Sequence, residues 1–300
     1  MQASAAQWGA AQWDPEQYAR YADERSRPFV ELAGRIGAAD PRYVVDLGCG
    51  NGELTATLAR RWPAATVLGL DSSAEMLAKA PAGTAAAPAP PSTAGTAAAQ
   101  GTAVSRAPRD TAPRDTGAPA GGPGLGFVLA DLAEWQPDRP VDVLLSNAAL
   151  QWVPAHPDLL PRWAGWLAPG GWLAFQVPGN YQTPAFDLLR AQVRAPRWRG
   201  RVPDVPETRV LEPAAYLDRL ARLGLAVDAW ETTYLHVLPG PDPVLEWTRG
   251  TALRPVLTAL PAAEAAEFTR EYGARLRAAY PAREYGTVFP FRRIFVVAHR

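Results

Sequence analysis

The sequence is poor in the residues that usually announce chemistry. Its 300 residues include one cysteine and three histidines. A lone cysteine excludes an intramolecular disulfide framework and a zinc site built of cysteines alone. His156, His236 and His299 show no metal-ligand spacing, so no metal is expected. Neither sign of charge prevails, with 30 basic residues against 30 acidic ones. Broad binding to nucleic acid or to an anionic membrane needs a basic excess, so neither partner is expected. Nothing approaches the roughly 18 consecutive apolar residues of a membrane span. Met1–Gln12 has neither the basic start nor the apolar stretch of a secretory signal. The expectation is a soluble, cytoplasmic, monomeric protein. Lys79 is the only lysine; with so much alanine, that reads as GC-rich coding and not as function.

What is present is a large apolar fraction, 48%, enough for a sizeable core. Proline is also abundant, at 31 residues. Much of the excess lies in residues 81–124, which hold almost only Ala, Pro, Gly, Thr and Ser and include a short tandem from Ala107 to Thr116. Such a segment has too little apolar surface to offset its ordering entropy. It reads as a disordered insertion, tolerated because lengthening a loop costs little. Residues 1–12 read as a disordered start, and 13–300 as the domain.

With the insertion set aside, strands and helices alternate from Tyr43 to Val177. Tyr43–Leu47, Thr66–Leu70, Phe127–Ala130, Val141–Ser146 and Trp172–Val177 read as buried strands. Glu53–Arg61, Ser73–Ala80 and Leu159–Leu167 read as helices; Ser73 suits an N-cap, Glu75 and Lys79 form an i,i+4 pair, and Pro169-Gly170-Gly171 stops the third helix. That alternation predicts an α/β fold, Rossmann-like, with a mostly parallel sheet and helices on both faces. Ligands of such sheets bind beyond the carboxyl ends of the strands. Towards the C-terminus, Val227–Val237 and Arg293–Ala298 read as further strands. Pro184–Arg194, Val244–Leu253 and Ala262–Tyr280 read as helices, the last with Phe268, Tyr272, Leu276 and Tyr280 as a core-facing stripe. Segments 184–222 and 238–290 are expected to form a small helical cap.

The informative stretch is Asp46-Leu47-Gly48-Cys49-Gly50-Asn51-Gly52-Glu53. Its glycines allow a tight turn after the first strand and close approach of a ligand to the backbone. A dinucleotide fingerprint would need its third glycine at position 53, which is Glu53. Carboxylates at Asp46 and Glu53 also disfavour a diphosphate, which argues against an NAD-type oxidoreductase. The loop suits a cationic nucleoside without phosphate, and S-adenosylmethionine is that kind of ligand. Asp46 is placed for its ammonium group, Asp71 for the ribose hydroxyls and Asp131 for the adenine amino group. Gly48, Cys49, Gly50, Ser72, Met76 and Leu132 complete the expected lining. Cys49 reads as a small loop residue and not as a nucleophile.

These motifs resemble the class I S-adenosylmethionine-dependent methyltransferases. More specific stretches point within that class to the trans-aconitate methyltransferase family: Trp13-Asp14-Pro15 through Tyr18 to Glu24–Pro28, Ser146–Trp152, Thr232–His236, Trp247 with Leu253-Arg254-Pro255, and Phe289–His299. The resemblance implies a seven-stranded sheet and transfer of a methyl group from S-adenosylmethionine to one carboxylate of trans-aconitate, leaving S-adenosylhomocysteine. A carboxylate is deprotonated near pH 7, so no general base is required. Arginines are expected on the non-reacting carboxylates, because the planar guanidinium binds a carboxylate bidentately; the candidates are Arg25, Arg27, Arg254, Arg292 and Arg293. Neutral donors, Tyr181, Tyr234 or His236, are expected at the reacting carboxylate. Trp13, Tyr18, Trp135 and Trp152 are expected to wall the donor, with Arg25 also among its contacts and Asn147 and Gln151 near the transferred methyl. A methyltransferase for another small acid or natural product, and a silent binder of the same fold, remain alternatives at the level of sequence.

Overall fold

The computed structural model describes residues 22–81, 122–207 and 210–300. Trp13, Tyr18 and nearly all of the 81–124 insertion lie outside the described residues. In chain order the elements are α1 (Ala22–Gly34), β1 (Tyr43–Leu47), α2 (Glu53–Arg61), β2 (Thr66–Asp71), α3 (Ala74–Leu77), β3 (Gly124–Leu129), β4 (Val141–Asn147), a 3₁₀ turn (Leu150–Trp152), α4 (His156–Gly165), β5 (Leu167–Pro178), α5 (Pro184–Val193), α6 (Pro213–Ala221), β6 (Ala226–Leu238), α7 (Pro243–Arg249), α8 (Arg254–Thr258), α9 (Ala262–Ala279), β7 (Ala282–Arg283) and β8 (Gly286–His299). They divide into two compact units, residues 40–136 and residues 1–39 with 137–300.

In the first unit, β1, β2 and β3 form a parallel sheet with β2 in the middle. All five residues of β1 are buried, as an apolar run between two covered faces requires. Ser73 caps α3 as the sequence predicts, its hydroxyl accepting the Met76 N–H at 3.2 Å. Glu75 and Lys79 pair across one turn at 3.7 Å. The end of the expected insertion is already structured. The Thr66 hydroxyl donates to the Gly122 carbonyl at 2.7 Å and the Gly124 N–H to the Ala65 carbonyl at 3.0 Å, so β3 begins three residues before the expected Phe127.

In the second unit β4 and β5 are parallel, and β8 lies between β5 and β6, antiparallel to both. β5 starts at Leu167, five residues before its predicted start. The helix before Pro169-Gly170-Gly171 ends at Gly165, and the tripeptide then bulges out of β5 between the pairs Val141–Leu167 and Val143–Trp172. β8 also runs further than predicted, straight through Pro290. Its pairing with β5 ends at Arg293, so only one side of β8 is paired at Pro290 and a missing N–H breaks no ladder on the open side. α5, α7, α8 and α9 enclose their own apolar cluster. Phe268, Tyr272, Leu276 and Tyr280 are all buried there. The Tyr272 hydroxyl donates to the Ala185 carbonyl at 2.9 Å and the Ala185 N–H donates to the Tyr280 hydroxyl at 3.1 Å, tying α9 to the start of α5. Among the described residues no helix is long and apolar enough to cross a membrane.

Candidate donor and acceptor sites

In the first unit, the chain leaves β1 and turns through the glycine loop. The Gly48 and Cys49 N–H groups both donate to the Leu70 carbonyl at 2.8 Å, which folds the loop back on the end of β2. The Gly50 N–H donates to Asp71 Oδ2 at 2.8 Å, and the Ser73 N–H to Asp71 Oδ1 at 2.8 Å. Asp71 therefore ties the glycine loop to the start of α3. Gly52 is left-handed at φ 72°. A Cβ there would stand 2.4 Å from the Phe127 ring, so the position admits only hydrogen. Gly50 is left-handed too, and a Cβ on it would press Met76 Cε at 3.3 Å, which brings Met76 to the loop as expected.

Asp46 is buried, 3% exposed, and accepts the Thr55 hydroxyl at 2.6 Å. Burial pushes its carboxyl up to about 7, the Asp71 charge adds to that, and the Thr55 hydrogen bond opposes it. The same forces, burial first and then the charges of Asp46 and Asp71, raise the Cys49 thiol, so it stays protonated and is no nucleophile. Two carboxylates at the root of a loop with little solvent favour a cation over a phosphate. Asp131 lies beyond its strand, which stops one residue short of the predicted Ala130. β3 ends at Leu129, and Asp131 lies exposed two residues on, with Oδ1 accepting the Ala133 N–H at 2.8 Å. It caps a turn beside β2, where the Ala130 N–H donates to the Asp71 carbonyl at 2.9 Å. Leu132 and Trp135 follow within that turn, and Ser72 is exposed beside Asp71.

Because Asp71 accepts two backbone N–H groups, Asp71→Ala is expected to loosen the loop as well as remove a ligand contact. We expect donor affinity to fall by on the order of 2–3 kcal/mol, given charge-assisted hydrogen bonds. Calorimetry with S-adenosylhomocysteine measures it, and unchanged affinity would place the donor elsewhere.

The second unit carries the expected acid-orienting residues, and strand register sorts them. Residues paired across antiparallel strands share a face. Gln176, Phe295 and Trp230 form one such row; Pro178, Arg293 and Thr232 the next; Phe291 with Tyr234, then Phe289 with His236, follow. Arg293 is buried, 6% exposed, with its guanidinium over the Phe291 ring at 4.5 Å. Arg292, its neighbour, points to the opposite face. There it pairs with Glu212 and Glu231, which raise its pKa above the ordinary value, Glu212 most. Two carboxylates already occupy its fork, so Arg292 is withdrawn as an acid-holding residue. Arg27 is likewise engaged, with Glu31 at 2.8 Å. Arg25 lies on α1, and its side chain is outside the described ones. Arg254 opens α8 with its Nη1 buried and without a hydrogen-bond partner among the described residues.

The neutral donors also need one correction. The Tyr234 hydroxyl already donates to Glu31 Oε2 at 2.6 Å. Burial pushes Glu31 up, but the bonds from Tyr234 and Arg27 outweigh it and hold the carboxyl below its usual range. His236 is buried and stacks on Trp247, ring centroids 5.3 Å apart. Tyr181 packs against Phe186 at 5.1 Å, and its carbonyl accepts Arg190 at 2.5 Å. Asn147 ends β4, beside Gln176 in register. Gln151 is buried in the 3₁₀ turn with Nε2 donating to the Ala148 carbonyl at 2.5 Å, and Trp152 closes that turn. Between them Ala148 is left-handed at φ 53°, a strained conformation for a residue with a Cβ. Sequence reasoning missed Thr55, Glu31, Gln176 and Asn180. Gln176 offered a signal, as the one amide inside the apolar run Trp172–Val177.

Known proteins resemble this chain along nearly its whole length. A family model described as a methyltransferase domain matches residues 18–229. The trans-aconitate 2-methyltransferase of Streptomyces avermitilis is 50% identical over 292 residues, covering 96% of this chain and 97% of that protein. The protein of the same name from Streptomyces coelicolor is 47% identical, covering 97% and 88%. Among solved structures, the YcgJ protein of Bacillus subtilis shares the fold with a TM-score of 0.51 at 11% identity, over 92% of this chain and 98% of that one. The fold is thus the Rossmann-like one of class I methyltransferases, and the chain belongs to the trans-aconitate 2-methyltransferase family.

Proposed function

We propose that this chain is an S-adenosylmethionine-dependent carboxyl O-methyltransferase that converts trans-aconitate to its monomethyl ester. The observation that carries the reading is identity of 50% along nearly the whole of both chains to a protein named for that activity. The residues support it. When bound, the donor supplies an electrophilic methyl group on a sulfonium. Asp46 and Asp71 set a negative potential at the loop that complements that charge, and the glycines bring backbone close to the nucleoside. Ser72, Met76, Asp131 and Leu132 complete its lining within that unit.

The acid needs cations and desolvation, not a base. Arg293 and Arg254 hold the non-reacting carboxylates, with Arg25 a further candidate from α1. Neutral donors suit the reacting carboxylate, because a guanidinium on that oxygen would draw off the electron density it must give to the methyl. Attack of an anion on a sulfonium neutralises charge, so a site that sheds water favours the step. Holding the oxygen in line with methyl and sulfur supplies the rest. In this reading segments 184–222 and 238–290 cover the acid, and the enzyme works as a cytoplasmic monomer.

The test is incubation of the purified protein with methyl-labelled S-adenosylmethionine and, separately, trans-aconitate, cis-aconitate, citrate and isocitrate. We expect labelled monomethyl ester with the highest kcat/KM for trans-aconitate; ester on none of them would overturn the assignment. Arg254→Ala is expected to raise KM for the acid about tenfold or more, the value of a charge-assisted contact, and to leave KM for the donor within about twofold. The opposite split would remove Arg254 from the acid's surroundings.

A further inference from the structure

Two amides on β5 and just beyond it stand out by what they do not touch. Gln176 is 0% exposed, yet neither Oε1 nor Nε2 meets a hydrogen-bond partner among the described residues. Asn180 is 4% exposed. Its Oδ1 accepts the Arg292 backbone N–H at 2.7 Å, which fixes the amide plane and turns Nδ2 the other way, where it too has no partner among the described residues. Buried polar atoms are nearly always satisfied, and leaving one bare costs roughly 1–3 kcal/mol. A leucine or methionine would fill the same volume at Gln176 without that cost.

The surroundings say what these amides are held for. Gln176 lies in one cross-strand row with Phe295 and Trp230, whose rings stack at 4.9 Å, and one row from Arg293 on the same face. A fixed cation, apolar walls and unengaged N–H donors are the complement of a small carboxylate. An uncharged donor can orient a carboxylate oxygen without withdrawing the electron density that the reaction needs.

We propose that Gln176 Nε2 and Asn180 Nδ2 hold the reacting carboxylate of the acid, as neutral donors beside the cation Arg293. This rests on the carboxyl-methyltransferase reading. It moves the positioning role from Tyr234, whose proton is given to Glu31, to two amides that no sequence motif marks. It also gives a specificity rule. A substrate must present one carboxylate to the amides and another to the arginine, so mono-acids bind weakly.

The experiment compares the parent protein with Gln176→Met, Gln176→Glu and Asn180→Asp in steady-state kinetics with S-adenosylmethionine and trans-aconitate. Melting temperatures and calorimetric titration of S-adenosylhomocysteine are measured alongside. Gln176→Met removes the donor at nearly constant volume. Asn180→Asp keeps the acceptor for the Arg292 N–H and exchanges only the unengaged NH₂ for an oxygen, so it remains informative if the changes at Gln176 do not fold. We expect KM for the acid to rise on the order of 10- to 100-fold in each variant, as loss of a hydrogen bond to a charged group implies. S-adenosylhomocysteine affinity should stay within twofold, and Gln176→Met should melt no lower than the parent. Acid KM within twofold of the parent, or a fall in melting temperature as the only effect, would overturn the proposal and leave the amides to structural water. A parent that esterifies no acid would instead overturn the functional reading itself.

Discussion

Asp46→Asn is expected to stabilise the donor-free protein at pH 8 and to weaken its hold on S-adenosylmethionine. The Asp46 carboxyl sits at about 7 in the fold, against an ordinary value of 3.8, chiefly because it is buried. The folded chain therefore holds that proton more tightly than the unfolded chain does. The resulting stability is fully present below about pH 4 and is lost as pH rises through 7. At pH 8 the ionised carboxylate is a burden on the fold of a few kcal/mol at most, by the shift between those two values. An asparagine keeps an acceptor for the Thr55 hydroxyl and carries no charge. The gain in melting temperature should be clear at pH 8 and small at pH 5, where Asp46 is already protonated. Donor binding has the opposite sign. A bound sulfonium favours ionised Asp46, so affinity of the parent should rise as pH goes from 6 to 7.5, by up to about tenfold per unit below the pKa. The variant should show a flatter dependence and weaker binding at pH 7.5. A parent affinity independent of pH across that interval would mean that Asp46 does not sense the ligand.

Gly52→Ala is expected to cost the protein about 2–4 kcal/mol and most of its donor binding. Two penalties act together. At φ 72° a Cβ meets its own backbone, a cost of roughly 1 kcal/mol. That Cβ would also stand 2.4 and 2.5 Å from two atoms of the Phe127 ring and 3.2 Å from Ala80 Cβ, so ring and loop must part, and overpacking of this kind costs roughly 1–3 kcal/mol. The melting temperature should fall by about 5 °C or more. Combining Gly52→Ala with Phe127→Leu should recover the steric part and leave the backbone part. Gly34→Ala is the control, since a Cβ there has nothing within 4 Å. Equal melting for Gly52→Ala and the control would show that the loop does not fold as described.

How much of this the sequence revealed depends on whether the information was local. The turn from β1 through the glycines into α2 was readable because adjacent residues specify it: an apolar run, three glycines and a helical spacing of leucines. The Ser73 cap was readable for the same reason. The end of β3 was placed one residue late, at Ala130, because an acid after an apolar run marks equally well a strand end and the turn beyond it. β5 was cut short because Pro169-Gly170-Gly171 signals a stop, and only pairing with β4 shows that it bulges out of a continuing strand. The arginines show the limit most clearly. Arg292 and Arg293 are neighbours of identical chemistry, and their opposite fates follow from strand register and from Glu212, 80 residues away. Gln176 was visible as an amide among apolar residues. That both its polar atoms lack partners among the described residues is a property of the packed structure alone.

One binding preference underlies the proposed methyl transfer, and competitive calorimetry measures it directly. The purified protein is titrated with S-adenosylhomocysteine, with S-adenosylmethionine and with a nicotinamide dinucleotide, alone and in competition, at pH 7.5. We expect one site per chain that takes both sulfur nucleosides, both held more weakly in Asp46→Asn, and no displacement by the dinucleotide. Binding of the dinucleotide at that site, with neither sulfur nucleoside taken up, would contradict the assignment of the loop and with it the proposed methyl transfer.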